Sequence, residues 1–292
     1  MPNTAIFRQS RRRFLQLSAA SVAALGLVSL SGNAAQKTVR KQPAVGLQLY
    51  TIRDLMAQNV ATTLQLVAGI GYTEVEFAGY FAQNPAQLRK QLDALGLRAP
   101  SCHLPLETLQ QDLAKAMDEA NTLGHRYLVL PYLTTEQRGT DLGSYQRLAA
   151  ELNQIGEKCR AQGLQLAYHN HDFEFQDFAG KTPYQVLLTE TDAQLVKMEL
   201  DLFWTIKAGV DPLALFAKHP GRFPLWHVKD LSKSGEMADV GTGTIDFSRY
   251  FAKAAEAGLQ HHYIEHDQSP NKILTIQRGF ATVKGILAAR QG

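Results

Sequence analysis

The chain has 292 residues, with 30 Lys and Arg against 27 Asp and Glu, 45% hydrophobic residues and two cysteines. This composition excludes intrinsic disorder, a collagen repeat and a disulfide-stapled mini-domain, and leaves one or two ordinary domains with a real core. The net charge of +3 is concentrated rather than spread.

Residues 1–35 carry Arg8, Arg11, Arg12 and Arg13 and no acid, which leaves 26 basic against 27 acidic residues for the remainder, a net −1. Behind the arginines come Phe14-Leu15-Gln16-Leu17, a weakly apolar run to about Leu30, and the small residues Ser31-Gly32-Asn33-Ala34-Ala35. This is the order of a cleaved export signal, and Ser10-Arg11-Arg12-Arg13-Phe14-Leu15 resembles the twin-arginine form. The run is too short and too rich in Ala, Ser and Gly for a stable bilayer anchor, which needs about 20 strongly apolar residues. The expectation is therefore a cleaved leader over 1–35, a linker over 36–43, and a periplasmic or otherwise exported protein that meets the twin-arginine machinery and whose mature chain has no stable membrane insertion.

From Ala44 onward a β-rich run recurs, followed each time by an amphipathic helical stretch. The runs begin near Ala44, Thr73, Arg98, Arg126, Leu164, Leu195, Phe223 and His261, at an average spacing of about 31 residues, the length of one βα unit. Asn84-Pro85, Thr182-Pro183, Asp211-Pro212 and Ser269-Pro270 place an oxygen-bearing cap before a proline and predict helix starts. Gly71, Gly96, Gly124, Gly163 and Gly258 predict helix ends. Eight such units over 44–292 predict a single-domain α/β fold, a (β/α)8 TIM barrel, in preference to an open doubly wound sheet. Gly241-Thr242-Gly243 follows no strand directly and lacks the third glycine of a dinucleotide fingerprint; it reads as a tight loop. Cys102 and Cys159 fall on different layers and are expected to stay unpaired.

In a barrel the C-terminal strand ends converge on one mouth. Read in order, they present Gln48 and Tyr50, Glu76, His103, Pro131-Tyr132, His169-Asn170-His171 with Glu174, Glu199 and Asp201, His227 with Lys229-Asp230, and Glu265-His266-Asp267. A lone His at a strand end is more often a hydrogen-bonded rim residue than a ligand, and a lone Asp after a strand is usually a helix cap. Several acids and imidazoles facing one mouth change that balance, because buried carboxylates repel unless a cation joins them. An oxygen-rich set with imidazole suits Mn²⁺, Mg²⁺, Co²⁺ or Zn²⁺. Strand parity puts Glu199 and Asp201 on one side with Asp201 nearer the mouth, and pairs His169 with His171 and His227 with Lys229 in the same way. Gln48, Tyr50, Glu76, His171 and Trp204 are the candidate contacts to a small sugar or keto-sugar, although Trp204 equally suits rim packing.

The runs Gly71 to Glu76, Tyr168-His169-Asn170-His171-Asp172-Phe173-Glu174-Phe175, Glu199 to Trp204, His227-Val228-Lys229-Asp230 and Ile264-Glu265-His266-Asp267 resemble the sugar phosphate isomerase/epimerase family, whose fold is the xylose isomerase-like TIM barrel. The similarity spans roughly 44–289. It implies a divalent metal held by His169, Asp201, His227 and Glu265. Strand 5 departs from the family pattern, with His169 where a Glu is expected, and Glu174 is the candidate substitute carboxylate. The implied chemistry is proton abstraction next to a carbonyl through an enediolate, with Glu265 or Glu174 as base and Lys229 or His103 as proton donor. Isomerisation or epimerisation is the first expectation. Dehydration of a keto-sugar or lysis of a keto-glycoside is the alternative on the same site, and a non-catalytic sugar-binding barrel is a second. The family also includes endonuclease IV, but a mature charge of −1 argues against a nucleic-acid partner.

Overall fold

The computed structural model describes residues 44–290; the predicted leader and linker lie outside them. Eight parallel strands close into a barrel: β1 (Gly46–Gln48), β2 (Glu74–Ala78), β3 (Arg98–His103), β4 (Tyr127–Leu130), β5 (Gln165–His169), β6 (Val196–Asp201), β7 (Leu225–Val228) and β8 (His261–Ile264). Each pairs with its neighbours in sequence, and β8 pairs with β1. An open sheet is thereby excluded. No helix among the described residues is long and apolar enough to cross a membrane.

Helix starts follow the local chemistry. Asn84 accepts from the Ala86 and Gln87 amides ahead of helix Pro85–Leu95, and Thr182 forms a reciprocal capping box with Gln185 ahead of Pro183–Glu190. Ser269-Pro270 is a correction. The last helix begins at Lys272 with Asn271 as its cap, because the Ser269 hydroxyl is engaged by Thr275 and by the Asn271 amide.

Most apolar side chains fill the layer between barrel and helices, while Tyr127, Val129, Ala167, Leu225 and Tyr263 plug the barrel interior. Gly46 on β1 makes room for that plug, since a Cβ there would collide with the Tyr263 ring and the His262 carbonyl. At the far end of the barrel from the predicted site, Glu74 is held by Arg98 at 2.9 Å and His261 at 2.8 Å. A register shift between Glu74 and Glu76 in the β2–β3 pairing marks a bulge, the usual device for re-aiming a strand residue. The extra residue lies on β3, between Arg98 and Ser101, and Ser101 reaches Glu76, which is fully buried at the floor of the mouth.

After β7, Asp230 accepts from the amides of Leu231, Gly241, Gly243 and Ile245 at 2.8–3.1 Å. A side chain at Gly243 would strike the Asp230 carboxylate. Gly241-Thr242-Gly243 is thus the tight loop that the sequence indicated, and it fixes the chain directly behind Lys229. Both cysteines are buried and free.

Candidate metal and active site

The mouth is a cavity of about 600 Å³ bordered by residues from seven strand ends, among them Tyr50, His103, Tyr132, His169, His171, Lys229, Glu265 and Asp267. Beneath it lies a polar floor. Gln48 donates to Glu76 Oε2 at 2.7 Å, Ser101 donates to the other Glu76 oxygen, and Ser101 Oγ also lies 2.8 Å from the Tyr263 hydroxyl. Gln48 and Glu76 are therefore fully used below the cavity rather than facing it.

Three histidines converge on Glu199. Its Oε2 lies 2.8 Å from His103 Nε2, 3.2 Å from His227 Nε2 and 3.3 Å from His169 Nδ1. Burial opposes a proton on His103, but Glu76 and Glu199 raise it to about 9. Burial likewise opposes the proton on His227, and Glu199 and Glu265 hold it well above the ordinary imidazole range. His169 goes the other way: burial and the neighbouring His227, His171 and His103 keep it neutral. One of its ring nitrogens is thus free to donate a lone pair.

A second group sits toward β8. Asp201 accepts from the Trp204 amide with Oδ1, so the ordinary capping role of an Asp after a strand is present, while Oδ2 turns into the site. The Lys229 ammonium stands 3.1 Å from Asp201 Oδ2, 2.9 Å from Glu265 Oε2 and 3.0 Å from Asp267 Oδ1. Burial pushes Asp201 up to about 6, partly offset by Lys229. Burial would also raise Glu265, but Lys229 and His227 hold it well below the usual carboxylate range. Asp267 is raised by burial and by Glu265, and at 21% exposure it is the more open of these acids.

These residues fit a divalent cation. His169 Nδ1 and Glu199 Oε1 are buried without a hydrogen-bond partner among the described residues, whereas Asp201 Oδ2 and Asp267 Oδ1 meet the Lys229 ammonium. Each such atom costs about 1–3 kcal/mol that coordination would offset. Two sets have donor atoms within 4.8 Å of one another: His103, His169, Glu199 and His227, and Asp201, His227 and Glu265. Mixed imidazole and carboxylate donors are the chemistry of a catalytic divalent ion.

The structure thus brings together His103, His169, Asp201, His227, Lys229 and Glu265, with His171 and Tyr50 at the cavity wall. Tyr50 is 42% exposed, with the Arg53 guanidinium over its ring. His171 packs between Tyr132, Phe173 and Trp204, and burial lowers it to about 3, so it is neutral. Trp204 backs His171 and lies 5.7 Å from the Lys229 ammonium, behind the cavity wall.

Glu174 does not join the site. It accepts from the Tyr168 hydroxyl at 2.7 Å and from the His171 amide at 2.8 Å, which pins the loop after β5. Its position five residues beyond the strand let it fold back under the loop. Glu199 beneath Asp201 and Asp267 beyond Glu265 join the site without having been among the predicted ligands; each lies two positions from one, which sets it on the same face.

The xylose isomerase-like TIM barrel family matches residues 64–281. The inosose dehydratase of Lacticaseibacillus casei is 24% identical over 243 residues, covering 69% of this chain and 80% of that protein. A sugar phosphate isomerase/epimerase from Parabacteroides distasonis superposes with a TM-score of 0.73 at 25% identity, over 85% of this chain and 95% of the other. The IOLI protein, whose structure carries a bound zinc atom, superposes with a TM-score of 0.67 at 16% identity, over 85% and 99% of the two chains. With eight strands closed in sequence order and most of its length matched, this chain belongs to the xylose isomerase-like TIM barrel family.

Proposed function

We propose that the protein removes a proton next to the carbonyl of a small polyhydroxylated ketone, a keto-sugar or an inosose, and that the enediolate then expels the substituent on the next carbon, as a lyase does. The observation that carries this reading is the one-sided placement of the acids. Glu265 and Asp267 both face the cavity from the end of β8, whereas the β5 side offers neutral His169, and Glu174 is turned away. Epimerisation between two opposed carboxylates lacks its second partner here. Elimination needs one base and a proton for the leaving oxygen, and it is the activity named for the inosose dehydratase relatives.

Asp267 is the better proton acceptor, because Glu265 is held as an anion by His227 and Lys229. Lys229 gives the departing oxygen its proton as the C–O bond breaks with its electron pair. The proton on Asp267 then returns across 3.0 Å to Lys229, so the site is restored and water or an alcohol is released. Neutral His171 and Tyr50 orient the substrate hydroxyls. The metal would be held by His169 and His227 with either Glu199 or the pair Asp201 and Glu265. When bound it supplies Lewis-acid withdrawal of charge from the substrate oxygens.

Similarity to a sugar phosphate isomerase/epimerase supports a second reading, in which the same enediolate is reprotonated. Incubating the protein with keto-sugars and inososes in deuterium oxide separates the readings. Elimination gives loss of water and an ultraviolet-absorbing enone or dione, and reprotonation gives deuterium at carbon without loss of water. Absence of both across the panel would leave only a binding barrel and refute the enzyme reading. Export by the twin-arginine route belongs to the same proposal, on the strength of Arg11-Arg12-Arg13 and the apolar run behind them.

A further inference from the structure

Two donor sets meet at His227, and Lys229 distinguishes them. Its ammonium, 1% exposed, already stands within 2.9–3.1 Å of Asp201, Glu265 and Asp267. An ion held at about 2.0–2.2 Å by Asp201 and Glu265 would share that space with a fixed positive charge. The set beneath has no ammonium, and any proton there sits on a ligand nitrogen itself and leaves when an ion binds. Ligands about 2.0–2.1 Å from a tetrahedral ion stand roughly 3.3 Å from one another. The three imidazole nitrogens lie 2.8, 3.2 and 3.3 Å from Glu199 Oε2.

The orientation of the donors agrees with this spacing. His169 Nδ1 is 3.3 Å from Glu199 Oε2 yet makes no hydrogen bond, and Glu199 Oε1 is likewise unpartnered. Side chains that share an ion stand edge to edge in this way, with lone pairs aimed at a common centre. On the other side of the ring, His227 Nδ1 lies 2.7 Å from Glu265 Oε2. A carboxylate there fixes the proton on Nδ1, the usual support for a metal-bound histidine, while Nε2 lies 2.7 Å from Glu76 Oε2 and 3.2 Å from Glu199 Oε2 and becomes a ligand once an ion takes the place of its proton. Glu76, held by Gln48 and Ser101, lies 2.7 Å from His227 Nε2 and 3.2 Å from His103 Nε2 and closes the floor. His103 and His169 both border the cavity, so an ion among them has an open side toward substrate.

We infer that the metal of this protein is held by His103, His169, Glu199 and His227, and that the Lys229 ammonium serves as the cation of Asp201, Glu265 and Asp267. This rests on the metal-dependent reading above and assigns its ligands. Three imidazoles with one carboxylate favour Zn²⁺ or Co²⁺ over Mg²⁺.

Calorimetric titration of the metal-stripped protein with Co²⁺ and Zn²⁺ tests the assignment. One ion per chain is expected, with millimolar Mg²⁺ failing to compete. His103→Ala and Glu199→Gln should each weaken binding about 30-fold or more, Asp201→Asn by less than about threefold, and Lys229→Met should admit a second ion. X-ray absorption of the zinc-loaded wild-type protein counts about three imidazoles independently of how any variant folds. Loss of the ion in Asp201→Asn with retention in Glu199→Gln, or a single imidazole in the absorption spectrum, would overturn the assignment while leaving metal dependence standing. A wild-type protein that takes up no divalent ion overturns both.

Discussion

Replacement of Glu174 by Gln separates the architecture of the site from its chemistry. Glu174 is fully buried, and burial pushes its carboxyl up to about 7 against an ordinary 4.5, with the Tyr168 hydroxyl and the His171 amide offsetting part of the rise. A folded-state value above the unfolded one makes the native protein the tighter proton binder. The resulting stabilisation is fully present below pH 4.5 and is lost as the pH rises through 7. The gap between the two values corresponds to about 3 kcal/mol. The carboxamide of the variant has no proton to lose and can keep both contacts, its oxygen accepting from the His171 amide and its NH₂ donating to the Tyr168 hydroxyl. Relative to wild type, Glu174→Gln should therefore gain about 2–3 kcal/mol between pH 5 and pH 8, seen as roughly 5–10 °C in the difference between the two melting temperatures. Circular-dichroism melts at constant ionic strength read this directly. A difference that stays constant with pH would refute the burial argument. A variant that folds normally but loses turnover a hundredfold would put Glu174 back among the catalytic groups.

Other expectations concern the ion, the barrel plug and the leader. Metal uptake at His103 must displace a proton that Glu76 and Glu199 hold, against burial, up to about pH 9. The apparent affinity for Co²⁺ should thus climb about tenfold or more per pH unit from 6.5 toward 9 and flatten above; a pH-independent affinity over that range would contradict it. Gly46→Ala, which forces a methyl against Tyr263 and the His262 carbonyl, should cost about 2–3 kcal/mol in urea unfolding, and a loss under 0.5 kcal/mol would show that the plug is loosely packed. Fusion of residues 1–43 to a reporter that is exported only when folded should deliver it to the periplasm. Replacing Arg11, Arg12 and Arg13 together by Lys should stop that delivery, and unimpaired export of the triple variant would contradict the twin-arginine assignment.

The eight βα units were legible because the punctuation is local. An Asn, Thr or Asp before proline and a glycine after an amphipathic stretch act within a turn of where they are written, as at Asn84 and Thr182. Ser269-Pro270 misled by two residues: the Ser269 hydroxyl pairs with Thr275 in the first turn of the helix, and Asn271 takes the capping role. The mouth was legible at the level of strand ends, since closure of a parallel barrel necessarily gathers them. What could not be read was which neighbours each depth would meet. Parity puts Glu199 below Asp201 on one face, and only the pairing of Asp201 with His227 and of Glu199 with His169 places Glu199 among the histidines. Glu174 was misjudged because a loop residue carries no periodicity to say which way it folds.

The substitution of His169 for a β5 carboxylate and the presence of Lys229 are best understood together. A ring of acids from β5, β6 and β8 around one histidine would need a divalent ion for its charge alone. Here the β5 member is a neutral imidazole, and the acids of β6 and β8 share an ammonium from β7. On the ligand assignment proposed above, that arrangement removes the upper carboxylates from competition for the ion and leaves them as a charged relay between Asp267 and Lys229 at the cavity wall. The ion is then required by the histidines and Glu199 at the floor, where three imidazoles supply little negative charge and so leave more of the cation's field for the substrate. If this division holds, His169→Glu should shift the ion upward toward Asp201, and it should do so only when Lys229 is also replaced. Either single variant leaves one determinant of the lower position intact: the fixed ammonium in His169→Glu, the imidazole trio in Lys229→Met. X-ray absorption on the double variant, expected to show about one imidazole where wild type shows about three, tests that dependence. An upward shift in His169→Glu alone would mean that Lys229 yields to the metal rather than excluding it.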